Sequence, residues 1–423
     1  MRIKHFLHGM QEVRGSTPRS STIRFHFVTA QFSTIMHKSS AFLIVILAAV
    51  TAIGPLTIDM YLPAFSAIAS GLNASESSVQ LSLTSYFIGI ACSQIIYGPI
   101  IDRFGKKIPL FCGLAIFVAT SFACTFVTEI HQLIFLRFFQ AAGACAGMVI
   151  PRALVRDIFP PQDSARVFSH LMSIMGLAPI LAPLGGSIIL SHFDWRGIFV
   201  FLTIFGIFCL AVTYTAIPSG KPADINAKLS GSLKNYWKIL QDRNFTICAL
   251  TSGMCMSALF AYITASPFIY LKLFNLSAKN FGLIFSINSI CFVIAAQINA
   301  YFLKKFPLET VLGKAILLPA IVGFSLILVS LFHPNFLTIT IALGAMLVSI
   351  GAIIPNTTAL SLKNHLHHSG SASALLGTFQ FVCATATSFL ASHLYDGSTM
   401  PLAIIVGSCG ICGCLIFKTF RRS

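Results

Sequence analysis

Gly98-Pro99-Ile100-Ile101-Asp102-Arg103-Phe104-Gly105-Lys106-Lys107 joins two apolar runs, Val79–Ile101 and Ile108–Val127. Each run is long enough to cross a bilayer as an α-helix, which takes about 20 residues. One acid and three cations between two such helices leave room only for a tight, glycine-hinged turn at one membrane face. Working outward, further runs of the same kind cover Ala41–Ala64, Leu133–Leu154, Val167–Ser191, Gly197–Ile217, Phe245–Leu271, Phe281–Leu303, Val311–Phe332, Phe336–Leu360, Ala372–Leu394 and Pro401–Phe417. Together these predict twelve membrane spans. Their unbroken apolar character excludes a β-barrel, whose strands alternate over about ten residues.

Composition agrees. The chain is 56% hydrophobic and 9% charged, with a mean hydropathy of +0.84, more apolar surface than a water-soluble domain can hide. The net charge of +16 does not point to nucleic acid, because the cations follow the loops. With the N-terminus inside, one face collects Lys38, Arg103, Lys106, Lys107, Arg152, Arg156 and Arg166, the Lys-rich stretch after span 6, and Lys418, Arg421 and Arg422. The other face holds Arg196, Lys272 and Lys279. This asymmetry places both termini in the cytoplasm.

The one long loop, Pro218–Asn244, divides the spans into two sets of six. The expected domains are an N-terminal bundle over 38–217, a cytoplasmic linker over 218–243 and a C-terminal bundle over 244–423. Residues 1–37 form a basic extension with no apolar run of signal-peptide length. It reads either as a transit-like segment or as sequence ahead of a translation start at Met36. Most of the twelve cysteines lie in spans, without the spacing of a disulfide framework or zinc site; no metal is expected. His365, His367 and His368 crowd one inner loop and read better as a titrating surface cluster than as metal ligands.

Of twelve carboxylates, only Asp59 falls inside a span away from its cytoplasmic end. An ionised carboxylate there costs roughly 2.5–3.5 kcal/mol, and protonation removes most of the cost. Asp59 is therefore a proton-site candidate. It lies roughly 27 Å along a helix from Ala41 at about 1.5 Å per residue, in the outer half. A second reading stays open: Pro63 follows four residues on, and a span ending there would leave Asp59 at the headgroups. Arg137 is the only Lys or Arg expected to be buried in a span and lies at similar depth, with Gln140 on the same helix face at i+3. The expectation is that Arg137 and Gln140 surround Asp59 or its water. Arg137 would pair with the ionised acid and be released when a proton arrives.

Several motifs carry a resemblance. Gly98, Asp102, Arg103, Gly105, Lys106 and Lys107 match the loop between spans 2 and 3 of major facilitator transporters. Arg137-Phe138-Phe139-Gln140-Ala141-Ala142-Gly143 resembles their span 4 motif in proton-coupled members. Thr57-Ile58-Asp59-Met60-Tyr61-Leu62-Pro63-Ala64, Ala178-Pro179-Ile180-Leu181-Ala182-Pro183 and Trp195-Arg196-Gly197-Ile198-Phe199 are similar to the bicyclomycin-resistance branch of drug:proton antiporters. So are Ser266-Pro267-Phe268-Ile269-Tyr270 and Phe281-Gly282 with Asn288. The resemblance runs from about Phe42 to Phe417.

It implies an all-α integral membrane fold of two six-helix bundles and a transporter working by alternating access. The same resemblance makes the span 2–3 loop a cytoplasmic gate, with Asp102 set against a neighbouring helix N-terminus. It assigns Pro179, Ala182, Pro183, Gly186 and Ser187 to the span 5 antiporter motif, with Ala182 and Ser187 where the family has glycine. In the family those glycines bring span 5 close to span 8 and seal the cytoplasmic-facing half.

Tyr61, Tyr86, Gln94, Met148, Tyr262, Asn288 and Gln380 are candidates to line a substrate cavity, and plain helix packing accounts for each about as well. No loop of the nucleotide-binding type G-x-x-x-x-G-K-[ST] is present, and no enzyme activity or catalytic residue is expected. The leading function is proton-coupled export of small amphiphilic compounds or drugs across a bacterial inner membrane. The alternative is a metabolite carrier (nucleoside, amino acid or siderophore-like) on the same scaffold. The expected partners are a small-molecule substrate and the lipid bilayer, with the proton as coupling ion, no other cofactor, no nucleic acid and a monomeric state.

Overall fold

The computed structural model describes residues 42–158, 161–217, 236–332, 334–365 and 369–421. The expectations for residues 1–37, for most of the 218–243 linker and for His367 and His368 lie outside these. Two compact units are distinguished, Met1–Leu47 and Ala48–Ser423. In the first, residues 42–47 form the opening turns of a helix. Apart from those opening turns of α1, all that follows concerns the second.

The described residues are helical almost throughout. α1 occupies residues 42–59 and leads through a 3-10 turn, Leu62–Ala64, into α2, Phe65–Gly71. Then come α3 (Glu76–Phe104), α4 (Lys107–Cys124), α5 (Ile130–Ile158), α6 (Pro161–His192) and α7 (Arg196–Ala216). A short helix, α8, covers residues 236–240. α9 (Arg243–Pro267) continues as a π-turn, Phe268–Leu273. The rest are α10 (Ala278–Phe302), α11 (Leu308–Ala315), α12 (Leu318–Phe332), α13 (Phe336–Leu362), α14 (Ser369–His393) and α15 (Met400–Arg421).

Among the described residues, eleven stretches are long and apolar enough to cross a membrane, and α6 adds a shorter apolar piece, Gly176–His192. The twelve expected spans are thus all present as helices. The first is longer than its sequence suggests. Pro63 has no N–H to continue the α pattern, yet the chain tightens for one 3-10 turn and resumes, so the span covers Phe42–Gly71. Asp59 is therefore twelve residues from the far end of that stretch.

Helix packing orders the molecule. α3, α4 and α7 pack with α5 or with one another in the first half, and α9 packs on α13, α14 and α15 in the second. The largest contacts between the sets are α3 on α14 and α6 on α10, with smaller ones from the span 1 turn and α2 to α9, its π-turn and α10. The α3–α14 contact is polar at the Glu76 end. Ser77 Oγ donates to the Ser392 carbonyl at 3.1 Å. Ser388 Oγ lies 2.9 Å from Thr84 Oγ1 and 2.8 Å from Thr264 Oγ1 of α9. Lys272 Nζ sits 2.8 Å from Glu76. In α6 on α10, Ser286 Oγ donates to the Ile180 carbonyl at 2.5 Å.

Candidate functional site

The span 2–3 loop is a sharp turn. Gly105 ends α3 with φ of +75°, a conformation that glycine adopts without penalty. Lys106 Nζ donates to the Ala153 carbonyl of α5 at 3.0 Å. The Lys107 ammonium sits 5.9 Å from the Tyr214 ring, and the Arg103 guanidinium 5.3 Å from Phe104. Gly98 faces the Tyr236 hydroxyl of α8. The Asp102 side chain, and with it the helix-N-terminus contact, lies outside the described residues.

The buried charges lie deeper, around the break in span 1. Arg137, on α5, is fully buried. Its NH1 donates to Gln140 Oε1 at 2.7 Å, and both terminal nitrogens reach the Thr57 carbonyl, at 3.3 and 3.4 Å. In an unbroken helix that carbonyl would accept from residue 61; next to the 3-10 turn it is offered to α5 instead. Gln140 Nε2 donates to Ser121 Oγ of α4 at 2.8 Å, which fixes the amide orientation. The guanidinium carbon also lies 4.5 Å from the Tyr61 ring centroid and 4.3 Å from that of Tyr86.

These contacts explain how a cation survives here without an acid. A charge at the centre of a span costs roughly 2.5–3.5 kcal/mol. A desolvated cation–π contact returns up to about 2 kcal/mol, and a hydrogen bond from a charged donor about 1.5–3 kcal/mol. Two rings and two acceptors are enough to offset the cost.

Asp59 is 4% exposed and has no hydrogen-bond or ion-pair partner among the described residues. This corrects the expected arrangement: Arg137 and Gln140 gather around the Thr57 carbonyl and two tyrosines, not around the Asp59 carboxylate. The reason is local. The turn at residues 60–61 leaves the Thr57 carbonyl open to Arg137, and the aromatic faces complete the shell. Asp59 instead lies within electrostatic reach of Tyr86 and of Tyr262 on α9.

The other described acids differ. Glu76 meets Lys272, Asp194 meets Arg196, and Glu309 meets Lys363. Asp242 caps α9 and bonds His365 at 2.9 Å. Asp396 accepts from the Ser398 hydroxyl and amide, which hold its carboxyl below the usual carboxylate range. Glu129 is exposed in a loop. Asp59 alone among the described acids whose side chains are placed is both buried and unpartnered.

The span 5 residues stand around this site from α6. A Cβ at Gly186 would collide with the Met60 carbonyl, so glycine is what lets α6 touch the span 1 break. Ser187 Oγ donates to Leu184 O at 2.8 Å. Its neighbour across the interface is Gly282 of α10, where a Cβ would lie 3.0 Å from both Ser187 Oγ and the Pro183 carbonyl. A glycine on span 8 thus makes room for the serine on span 5. Pro179 and Ala182 lie on the same helix. This contact lies toward the His192 end of α6, and α6 also meets α10 further back, at Ile180 with Ser286 and at Gly176 with Val293.

Of the cavity candidates, Tyr61 and Tyr86 are spent on Arg137, and the Tyr61 hydroxyl also pairs with Ser82 at 2.7 Å. Asn288 donates to the Tyr262 hydroxyl at 3.1 Å, and Tyr262 stacks on Phe285. Gln380 donates to Ser252 at 2.7 Å, Met148 packs at Gly54, and Gln94 fits against Gly377. The sequence reading missed the aromatic seat of Arg137; its signal was a lone span cation with two span tyrosines at comparable depth. Among the described residues no three His, Cys, Asp or Glu gather as a metal site.

A family model described as Major Facilitator Superfamily matches residues 47–418. A Bacillus subtilis protein called an uncharacterized MFS-type transporter, YdgK, is 33% identical over 369 residues, covering 86% of this chain and 92% of its own length. A Haemophilus influenzae bicyclomycin resistance protein homolog is 27% identical over 382 residues, with 90% and 96% covered. In fold, the chain is similar to the E. coli xylose transporter XylE in a partially occluded inward-open conformation. The TM-score is 0.70 at 13% identity, with 89% and 97% of the two chains covered.

Proposed function

Because this chain belongs to the Major Facilitator Superfamily and is a multi-pass membrane transporter, we propose that it exports small amphiphilic compounds in exchange for protons, with Asp59 as the proton carrier. The observation that carries this reading is a buried Asp59 carboxylate with no partner among the described residues, while the buried Arg137 guanidinium is held by other groups. An acid so placed can gain and lose a proton at a cost set by whether Arg137 turns to it. That difference between two states is what coupling requires. The resistance-related name of the Haemophilus relative supports a drug-like substrate, as does the aromatic and neutral character of the groups around the site.

The cation distribution supports a placement with both termini in the cytoplasm of a bacterial inner membrane, and the chain is read as a monomer. The test is a pair of assays on the full chain. Inside-out vesicles with an imposed pH gradient should lose part of that gradient when bicyclomycin or another member of a panel of amphiphilic drugs is added. A deletion strain should become sensitive to the same compound. Growth or excretion defects for a defined nucleoside, amino acid or siderophore, with no drug phenotype, would favour the metabolite carrier.

A further inference from the structure

We propose that His365 is a proton-sensitive lock at the Gly98–Lys107 end of the transporter: its pairing with Asp242 holds the short helix α8 as a strap between the two halves, and loss of its proton loosens that strap.

The strap is built outward from α8. Tyr236 and Ile239 of α8 pack with Phe245 and Ala249 of α9 and with Leu375 and Leu376 of α14. From this cluster the Tyr236 hydroxyl reaches the other half of the molecule and donates to the Ile95 carbonyl of α3 at 3.4 Å. In a regular helix that carbonyl would accept from the N–H of residue 99, and Pro99 has none. Gly98 leaves the space, since a Cβ there would lie 2.8 Å from the hydroxyl. α8 thus ties the second half to the end of α3 that leads into the Gly98–Lys107 loop.

The lock sits at the joint behind α8, where Asp242 divides its two oxygens. Oδ1 caps α9, accepting from the Asn244 and Phe245 amides at 2.9 and 3.4 Å. Oδ2 meets His365 Nε2 at 2.9 Å. The imidazole stands edge-on to the Phe245 ring, 5.5 Å away, which fixes its plane. The same joint fastens α8: the Asp242 amide donates to the Ile239 carbonyl at 3.1 Å, and Thr246 Oγ1 to the Leu240 carbonyl at 2.8 Å. The His365 and Asp242 side chains are 14% and 23% exposed. That admits water to carry a proton, yet a partly buried pair is only weakly screened.

Among the described residues, the other charged or titratable groups nearby are few. Lys363, two residues before His365, meets Glu309 of α11 at 3.5 Å. Cys248 of α9 lies within electrostatic reach of Asp242. Lys238 of α8 and Arg243 of α9 are exposed, and α14 brings apolar side chains to the cluster. Imidazole is the side chain whose charge changes between about pH 5 and 8. A protonated His365 adds the attraction of opposite charges to its hydrogen bond with Asp242, so the strap is tighter at low pH on this side. In a chain that exchanges drugs for incoming protons, the lock slows opening as protons accumulate in the cytoplasm; that consequence rests on the exporter reading, and the lock itself does not.

The test is amide hydrogen exchange, read by mass spectrometry, on the full chain in lipid nanodiscs at about pH 5.5 and about pH 7.5, with rates corrected for the intrinsic effect of pH. Residues 236–240 and 95–104 should each exchange about fivefold more slowly at the lower pH, the effect of two unit charges in contact in water-like surroundings. His365→Gln keeps a hydrogen-bond donor and should erase both differences. Asp242→Asn keeps a capping side chain and should erase them too. Tyr236→Phe cuts only the reach to Ile95, so the difference should persist in α8 and vanish from α3. His367→Gln with His368→Gln should change neither. Equal protection at both pH values in the native chain overturns the lock, as does a difference that survives His365→Gln or one that vanishes with His367→Gln and His368→Gln. A native difference confined to α8 overturns the strap between the halves. Failure of the drug assays above would strike the exporter reading and leave the lock standing.

Discussion

Two buried polar groupings sit between helices of this molecule, and they are built differently. On α10 and α13, Asn299 and Asn356 exchange hydrogen bonds in both directions, at 3.0 and 2.9 Å, and Asn356 adds one to the Ala352 carbonyl. Both are neutral and almost fully buried. Around span 1, Arg137 is bonded on several sides, while Asp59, also buried, has no partner among the described residues. The amide pair is closed: it has one arrangement and nothing to exchange. The charged set is open, because its two ions do not meet and each has a second possible state. Closed networks fix helices against each other, and open ones can store a difference between conformations.

The contrast can be broken most forcefully at Arg137. Arg137→Ala orphans the Thr57 carbonyl and the Gln140 amide oxygen, each at about 1–3 kcal/mol, and removes the cation from coupling. A large drop in thermal stability and loss of gradient-driven flux are expected in proteoliposomes. Gly186→Ala should come next, since the new Cβ meets the Met60 carbonyl and pushes α6 off the span 1 break. Overpacking of this kind costs about 1–3 kcal/mol, with reduced flux at unchanged expression.

Asn299→Ala should cost about 1–3 kcal/mol of stability by orphaning its partner, with the pH profile of transport unchanged. The double change Asn299→Leu with Asn356→Leu should be milder than either single change, as expected when both partners of a closed pair are removed together. The smallest effect belongs to Glu76 and Lys272, a pair with its lysine exposed, worth up to about 1 kcal/mol. Lys272→Glu should weaken the contact between the start of α3 and the π-turn after α9 in crosslinking assays, and adding Glu76→Lys should restore it.

Much of this was legible before any coordinates. Unbroken apolar runs have one solution in a bilayer, so each of the twelve runs was legible as a helix, though the first continues to Gly71 and the fifth starts at Pro161. The isolation of Asp59 and Arg137 followed from the cost of charge in lipid. What the chain did not reveal was their separation. Pro63 suggested an end to span 1, whereas a 3-10 turn carried the helix on to Gly71 and freed the Thr57 carbonyl. Cation–π partners leave no fixed sequence spacing, so Tyr61 and Tyr86 read as cavity lining. The span 5 motif pointed to small residues, but whether Gly186 met span 8 or span 1 depended on helix rotation, which packing alone decides. Long-range pairs such as Glu76 with Lys272 or Thr84 with Ser388 join residues nearly 200 positions apart or more, and one sequence carries no trace of them.

The most direct test of the account is drug-dependent proton movement in inside-out vesicles carrying either the native chain or Asp59→Asn, matched for amount and fold. Substrate addition should discharge the imposed pH gradient with the native chain and leave it intact with Asp59→Asn, while binding of the substrate to the purified variant persists. Discharge at the native rate by Asp59→Asn would contradict the assignment of the coupling proton to this carboxylate.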